Sequence, residues 1–402
     1  MLKFLQLSTF IAMVFSMLSL QLQAQFTTKW SIPAGTSNLT FQIETVGNTA
    51  YNWTAGSNSG NGTWSGVANG PVTITVNNNV STTLTLEIAS ANLRRWAISD
   101  VSKLRLTNVT NWGTSPWNSM ENMFYGCENL NITGAPTPPN LTNVTNMNTM
   151  FYQCSALNGP LNIGSWNVSN VTSMFGMFNF ASAFNQPIGS WNVSNVEYFT
   201  QMFWYAASFD QPLDNWNVSK AANMYEMFSN ATSFNQDLGN WKLYPSANLG
   251  SMLDNSGMDC ANYSATLNGW KQNNPTVNAL TLGASGLMYG TNATSSRNAL
   301  INTQGWTING DLPSGIYCDH VATEETAGIA MKIYPNPTTG MISIQTDVMI
   351  KNIKVTDIQG RALSVPDLNE SSIDLSVLNN GMYLLHISTN HSVSLHKVIV
   401  MK

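Results

Sequence analysis

Apolar and polar residues alternate along the first part of the chain. From residue 26 to about 95 the alternation is plain in Val72-Thr-Ile74-Thr-Val76 and Leu84-Thr-Leu86-Glu-Ile88. A period of two puts one row of side chains in a core and the next in solvent, which predicts antiparallel β-structure. Gly- and Asn-rich stretches such as 56–62 provide the turns. The same period returns near the end, at Ile342/Ile344, Ile353/Val355, Tyr383/Leu385/Ile387 and Val398/Val400. Asp357-Ile-Gln-Gly360 and Asn379-Asn-Gly381 separate these runs, and a compact all-β sandwich is expected there. Pro335 and Pro337 cannot donate to a ladder, so they belong at an edge or a strand entry.

Between the two β regions the pattern changes period. Trp166, Trp191, Trp216 and Trp241 are spaced by 25, and three of them open Trp-Asn-Val-Ser. A second phrase, Met-x-x-Met-Phe, ends in Phe124, Phe151, Phe178 and Phe228, with variants around Phe203 and Leu253. The last residues of the six copies are spaced 27, 27, 25, 25 and 25. Within one copy, Ile188, Trp191 and Val193 match the entry of a leucine-rich repeat, while Phe199, Met202 and Phe203 suit one helical turn. So short a unit cannot bury its own apolar edge, and neighbours must stack.

The expected fold is therefore a mixed repeat protein. A leucine-rich-repeat-like right-handed solenoid of about six coils is flanked by an N-terminal β region and a C-terminal all-β sandwich. Trp166, Trp191, Trp216 and Trp241 are expected in one buried column. Phe124, Phe151, Phe178, Phe203 and Phe228 form a core ladder with no cofactor or metal role.

Domain boundaries follow from the breaks in pattern. Residues 1–24 read as a signal peptide, with Lys3, an apolar run from Phe4 to Leu20 and a small residue, Ala24, before the expected cut. That run is shorter than the ~20 residues of a membrane span. Residues 25–95 are the N-terminal β region, 96–253 the repeats and 254–312 a cap whose helical pieces end near Trp270 and Trp306. A linker is expected over 313–328 and the β sandwich over 329–402.

Composition removes whole classes of function. Charged residues are 9% of the chain, against a usual ~25%. Sixteen Lys+Arg and a net charge of −5 leave no footprint for nucleic acid. All four histidines, His320, His386, His391 and His396, fall near the end. Ser-His-Asp and Cys-His nucleophile systems are therefore absent from the body of the chain. Glu197, Asp210, Asp214, Glu226 and Asp237 occupy non-equivalent repeat positions and form no acidic ladder. Asp254 to Asp259 lacks the ligand order of a calcium loop. No cofactor is expected, and the protein does not read as an enzyme. Cys127 and Cys154 differ by one repeat period, and two readings stand: a bridge between coils, or two packed core thiols. Cys260 and Cys318 lie in the cap and linker, where pairing is also open. Trp204 and Tyr205 are either sugar-stacking aromatics or ordinary half-buried side chains.

Two resemblances follow from these phrases. The Trp-Asn-Val-Ser-Asn-Val and Met-Phe phrases over residues 96–312 resemble the BspA-like leucine-rich-repeat surface proteins, some of which are adhesins. The last 74 residues resemble the sorting domain of the type IX secretion system of Bacteroidota. The matching residues are Tyr334, Pro335, Asn336, Pro337 and Gly340, then Asp357, Gly360, Gly381, Tyr383 and Lys397. The resemblances imply export by Sec and then by the type IX machinery, removal of the domain by a sortase-like protease, and a secreted or outer-surface location. An adhesin or interaction scaffold for an unidentified extracellular protein or glycan is the leading expectation. A structural surface-layer component is the alternative, and a carbohydrate-active enzyme ranks last.

Overall fold

A computed structural model describes residues 25–66, 69–98, 100–318, 331–346, 349–357, 361–369, 372–389 and 393–402. The expected signal peptide and residues 319–328 of the expected linker lie outside the described residues. The chain divides into two compact units at Asp319/His320.

The first unit opens with eight strands: β1 (Gln25–Ile32), β2 (Gly35–Thr45), β3 (Thr49–Ala55), β4 (Asn58–Trp64), β5 (Asn69–Asn78), β6 (Thr82–Ala89), β7 (Leu93–Ile98) and β8 (Leu106–Trp112). They form a five-stranded sheet in the order β4-β3-β6-β1-β8 and a three-stranded sheet β5-β2-β7. Alternate residues Leu84, Leu86 and Ile88 of β6 are fully buried, as period-two patterning requires. Trp96 of β7 joins the two sheets, with its ring 5.3 Å from Phe26 and 5.6 Å from Phe41. It also lies 5.7 Å from Phe124, so the strands and the first repeat share one core.

The leucine-rich-repeat-like solenoid does not form. The described residues are mostly β-strands in six small sheets, and α-helix is confined to two segments near the end of the first unit. From Gly113 to Asp259 the chain carries no strand and no α-helix, only one three-residue 3-10 turn and isolated bridges. The reason lies in the backbone. Each copy places two residues in the left-handed region, such as Thr149 and Gln153, Gln201 and Tyr205, or Glu226 and Asn230, with φ between 52° and 58°. A left-handed residue fits neither a right-handed helix nor an extended strand. The i, i+3, i+4 spacing of Phe199, Met202 and Phe203 therefore reflects successive tight turns rather than a turn of helix.

Those turns still satisfy their backbone groups. The N–H groups of Met147, Thr149, Phe151 and Gln153 donate to the carbonyls of Ser173, Phe175, Met177 and Asn179 in the next copy, at 2.7–3.0 Å. The intervening Met150, Tyr152 and Cys154 donate three residues back within their own copy. Alternate amides thus bond between copies and within them, which closes the account that a buried backbone must close. Single parallel bridges run Asn146–Ser173–Tyr198–Asn223–Asn248 along the repeats.

Two helices end the first unit, α1 (Cys260–Asn273) and α2 (Thr294–Asn302). Asp259 caps α1 by accepting the Asn262 N–H at 2.8 Å. Short parallel pairs join β9 (Thr281–Gly283) to β11 (Thr307–Asn309), and β10 (Met288–Tyr289) to β12 (Leu312–Pro313).

Among its described residues the second unit has two four-stranded sheets. One is β13 (Lys332–Tyr334), β14 (Met341–Gln345), β18 (Ser372–Asp374) and β17 (Asp367–Asn369), in that spatial order. The other is β16 (Ala362–Leu363), β15 (Ile350–Asp357), β19 (Gly381–Thr389) and β20 (Val393–Val400). Ile342 and Ile344 from the first sheet and Val355, Leu385, Ile387, Val398 and Val400 from the second fill a single core.

Candidate interaction surface

The four repeat tryptophans are all buried, and three of them are fixed by an equivalent hydrogen bond. The indole N–H groups of Trp191, Trp216 and Trp241 donate to the carbonyls of Ile163, Ile188 and Leu213 at 2.8–3.1 Å. Each acceptor lies three residues before the preceding repeat tryptophan. Trp270 and Trp306 make similar bonds to Leu238 and Val277, so the pattern continues into the cap. Trp166 has no repeat tryptophan before it; its buried Nε1 has no partner, and its ring meets Trp112 edge-on at 5.4 Å. The rings of Phe124, Phe151, Phe178, Phe203 and Phe228 lie parallel at successive separations of 5.6, 5.5, 5.7 and 5.5 Å. Offset stacking of this kind adds about 0.5–1.5 kcal/mol per pair beyond area burial.

Sequence reasoning missed an amide ladder that runs from copy to copy. Asn131 accepts the Asn158 N–H, Asn158 that of Asn185, Asn185 that of Asp210, Asp210 that of Asn235, and Asn235 that of Asp259. Asp259 then caps α1, so Asp210 and Asp259 serve as ladder rungs. The signal in the sequence was an Asn or Asp directly after each of Phe184, Phe209 and Phe234.

The cysteines separate cleanly. Cys127 and Cys154 are free, buried thiols and form no bridge. Cys154 Sγ is spent on the Phe124 carbonyl at 3.1 Å, and burial pushes both thiols well above their ordinary range. Cys260 and Cys318 form the disulfide, with Cα atoms 5.6 Å apart. Beside it, Asp311 takes a two-pronged salt bridge from Arg297 at 2.7 Å and a 3.0 Å hydrogen bond from the Tyr263 hydroxyl. Burial, then the Asp311 charge, pushes the Tyr263 phenol well up. This cluster ties α1, α2 and the segment around Asp311 together.

The sorting-motif residues take two kinds of place. Asn336 clasps the last strand: its Nδ2 donates to the Lys397 carbonyl at 2.8 Å and its Oδ1 accepts the Ile399 N–H at 2.9 Å. The Gly340 carbonyl accepts Leu375 N–H, and a Cβ there would come within 3.0 Å of Ser376 Cβ. Asp357 accepts Arg361 through N–H and Nε at 2.9 and 2.7 Å. The Tyr383 hydroxyl donates to the Asn379 carbonyl, and Gly381 pairs with Val400. Tyr334, Pro335, Pro337 and Lys397 are exposed. Gly360 lies outside the described residues.

One surface remains that packing does not explain. Across successive copies the rings of Tyr125 and Tyr152 stack at 4.6 Å, Tyr152 meets Phe180 at 6.3 Å, and Phe180 meets Trp204 and Tyr205 at 5.3 and 4.8 Å. All five keep solvent-exposed surface, Tyr205 the most at 40%. The Lys103 ammonium sits 5.7 Å from the Tyr125 ring at one end. Burial, then the neighbouring Tyr125 phenol, pushes the Tyr152 phenol up. Tyr205 gives its ring face to Phe180, at an interplanar angle of 3°, so it does not stand as a lone stacking platform.

Comparison with known families assigns the second unit. Residues 332–401 match the secretion system C-terminal sorting domain. They are a type IX sorting tail. The tail marks the protein for export to the cell surface or the extracellular space. Residues 91–162 and 137–241 match a family described as Mycoplasma protein of unknown function, DUF285. No curated protein and no solved structure matches the chain. Among the described residues, no helix is long and apolar enough to cross a membrane, and no group of three His, Cys, Asp or Glu is placed to hold a metal ion.

Proposed function

We propose that the exported protein is an adhesin or interaction scaffold that binds an extracellular macromolecule and catalyses no reaction. The carrying observation is the aromatic ridge of Tyr125, Tyr152, Phe180, Trp204 and Tyr205, contacting ring to ring while keeping surface. Contiguous aromatics that keep part of their surface in solvent are the usual anchors of a protein interface, because they bury much area for little lost rotamer freedom. Four of the carboxylates, those of Asp210, Asp237, Asp259 and Asp311, accept hydrogen bonds from neighbouring segments and serve the fold. The phrase-level resemblance to BspA-like surface proteins supports the same reading. On this proposal the sorting tail engages the type IX machinery and is then removed by a sortase-like protease.

An array of extracellular matrix and bacterial surface proteins tests the proposal. The purified exported protein is expected to bind at least one target saturably. Tyr205→Ser, and Tyr152→Ser with Phe180→Ser, should weaken that binding about tenfold or more in protein that circular dichroism shows to be folded. Turnover of an arrayed substrate, or binding indifferent to the ridge, would contradict it.

A further inference from the structure

Of the 13 tryptophans, only Trp53, Trp64 and Trp204 are not buried. Two of the three stand together in the N-terminal strands, far in sequence from the ridge. Tyr51 and Trp53 of β3 pair with Ile88 and Leu86 of β6, and β4 forms the outer edge of the sheet. Opposite them on β4 lie Gly62 and Gly60. A Cβ on Gly60 would fall 2.7 Å from three atoms of the Trp53 indole, and one on Gly62 would fall 2.5 Å from the Tyr51 hydroxyl. The two side chains therefore lie across bare glycine backbone, a contact that only glycine permits. Tyr51 stacks on Trp64 at 4.5 Å, whereas Trp53 contacts no other aromatic ring among the described residues.

These side chains also retain unspent polarity. The indole N–H groups of Trp53 and Trp64 and the Tyr51 hydroxyl have no hydrogen-bond partner among the described residues, and unlike the equally unpartnered indoles of Trp96, Trp112, Trp117 and Trp166 they are not buried, so a ligand can reach them. The platform is held at both ends of β4. Asn58 Nδ2 donates to Asn77 O and Asn78 Oδ1 at 3.2 and 2.9 Å, and Gly66 N–H donates to Asn48 Oδ1 at 2.6 Å. Such preorganisation lowers the ordering cost of binding.

Charge decides what fits. No Asp, Glu, Lys or Arg occurs from Thr45 to Leu86, a stretch that contains all of β3, β4 and β5. A polyanion needs cations and a basic or acidic peptide needs counter-charges, and these strands offer neither. A neutral sugar instead needs a flat apolar surface for its C–H face and uncharged donors and acceptors for its hydroxyls. We propose that Trp53, with Tyr51 and Trp64, forms a binding site for a neutral pyranose unit of an extracellular polysaccharide. The site is separate from the ridge and stands or falls without it.

Native gels containing hydroxyethylcellulose, galactomannan or soluble β-1,3-glucan test this on the full exported protein, with heparin as the charged control. At least one neutral polymer should retard migration and heparin should not. Trp53→Ala should weaken retention about tenfold, Trp53→Phe should keep most of it, and the ridge variant Tyr205→Ser should keep all of it. In a Trp204→Phe background, the retained polymer should also shield the exposed indoles from acrylamide quenching. Retention by heparin alone, no retention by any neutral polymer, full retention of a folded Trp53→Ala protein, or unshielded indoles would each overturn the proposal.

Discussion

The indole N–H of Trp191 reaches the Ile163 carbonyl at 2.8 Å in a site without water access, whereas the buried Nε1 of Trp166 has no partner. The Ile163 carbonyl also accepts the Trp166 N–H at 3.0 Å, so losing the indole donor removes one buried hydrogen bond without orphaning its acceptor, a net loss of about 0.5–1.5 kcal/mol. Trp191→Phe should therefore lower the denaturant midpoint by more than Trp166→Phe, although both remove the same atoms from similarly buried sites. Equal losses would show that the indole bond contributes nothing. At this scale the sequence was legible in part. Apolar spacing alone identified the residues of the tryptophan and phenylalanine rows. The left-handed backbone at Thr149, Phe180 and Gln201 was not legible, because none of these residue types favours positive φ. Their conformation comes from bonds to the next copy.

At the scale of elements, the amide ladder accounts for asparagine that otherwise reads as loop. Asn185 Oδ1 accepts the Asp210 N–H at 3.0 Å and Gln211 Nε2 at 2.8 Å. The next rung is an aspartate, Asp210, and it accepts the equivalent pair from Asn235 and Gln236. Asn185→Asp should accordingly be tolerated, while Asn185→Leu should cost about 1–3 kcal/mol, read from chemical unfolding. The helical turn expected around Phe199 failed for a related reason: spacing reports which residues are buried, and two different backbones can deliver the same spacing.

The second unit carries an acid sensitivity of its own. Burial holds His386 and His396 below the ordinary histidine value, and Lys354, opposite His386 on β15, adds to the effect there. Both therefore bind a proton more readily when unfolded. Their contribution to stability is whole above about pH 6.5 and is lost as pH falls below it. Amides of β19 and β20 should exchange faster at pH 5.5 than at pH 7.5 after correction for intrinsic rate, and His386→Gln should reduce the difference. An unchanged or reversed difference would contradict this assignment. The histidines were visible in the sequence, but their burial depends on strand register.

At the scale of the whole molecule, an exported chain carries its own address in residues 332–401 and a rigid aromatic surface in the other unit. The sorting tail was legible because its matching residues are local phrases. The ridge was not, because Tyr125, Tyr152, Phe180 and Tyr205 do not all share one repeat position and meet only through the stacking of copies. The most direct measurement is adhesion of cells displaying either the natural protein or the Tyr152→Ser/Phe180→Ser variant, at matched surface abundance, to a surface coated with the bound target. The account predicts that the natural protein supports adhesion and that the variant loses most of it. Equal adhesion by the two, with both displayed and folded, would contradict it.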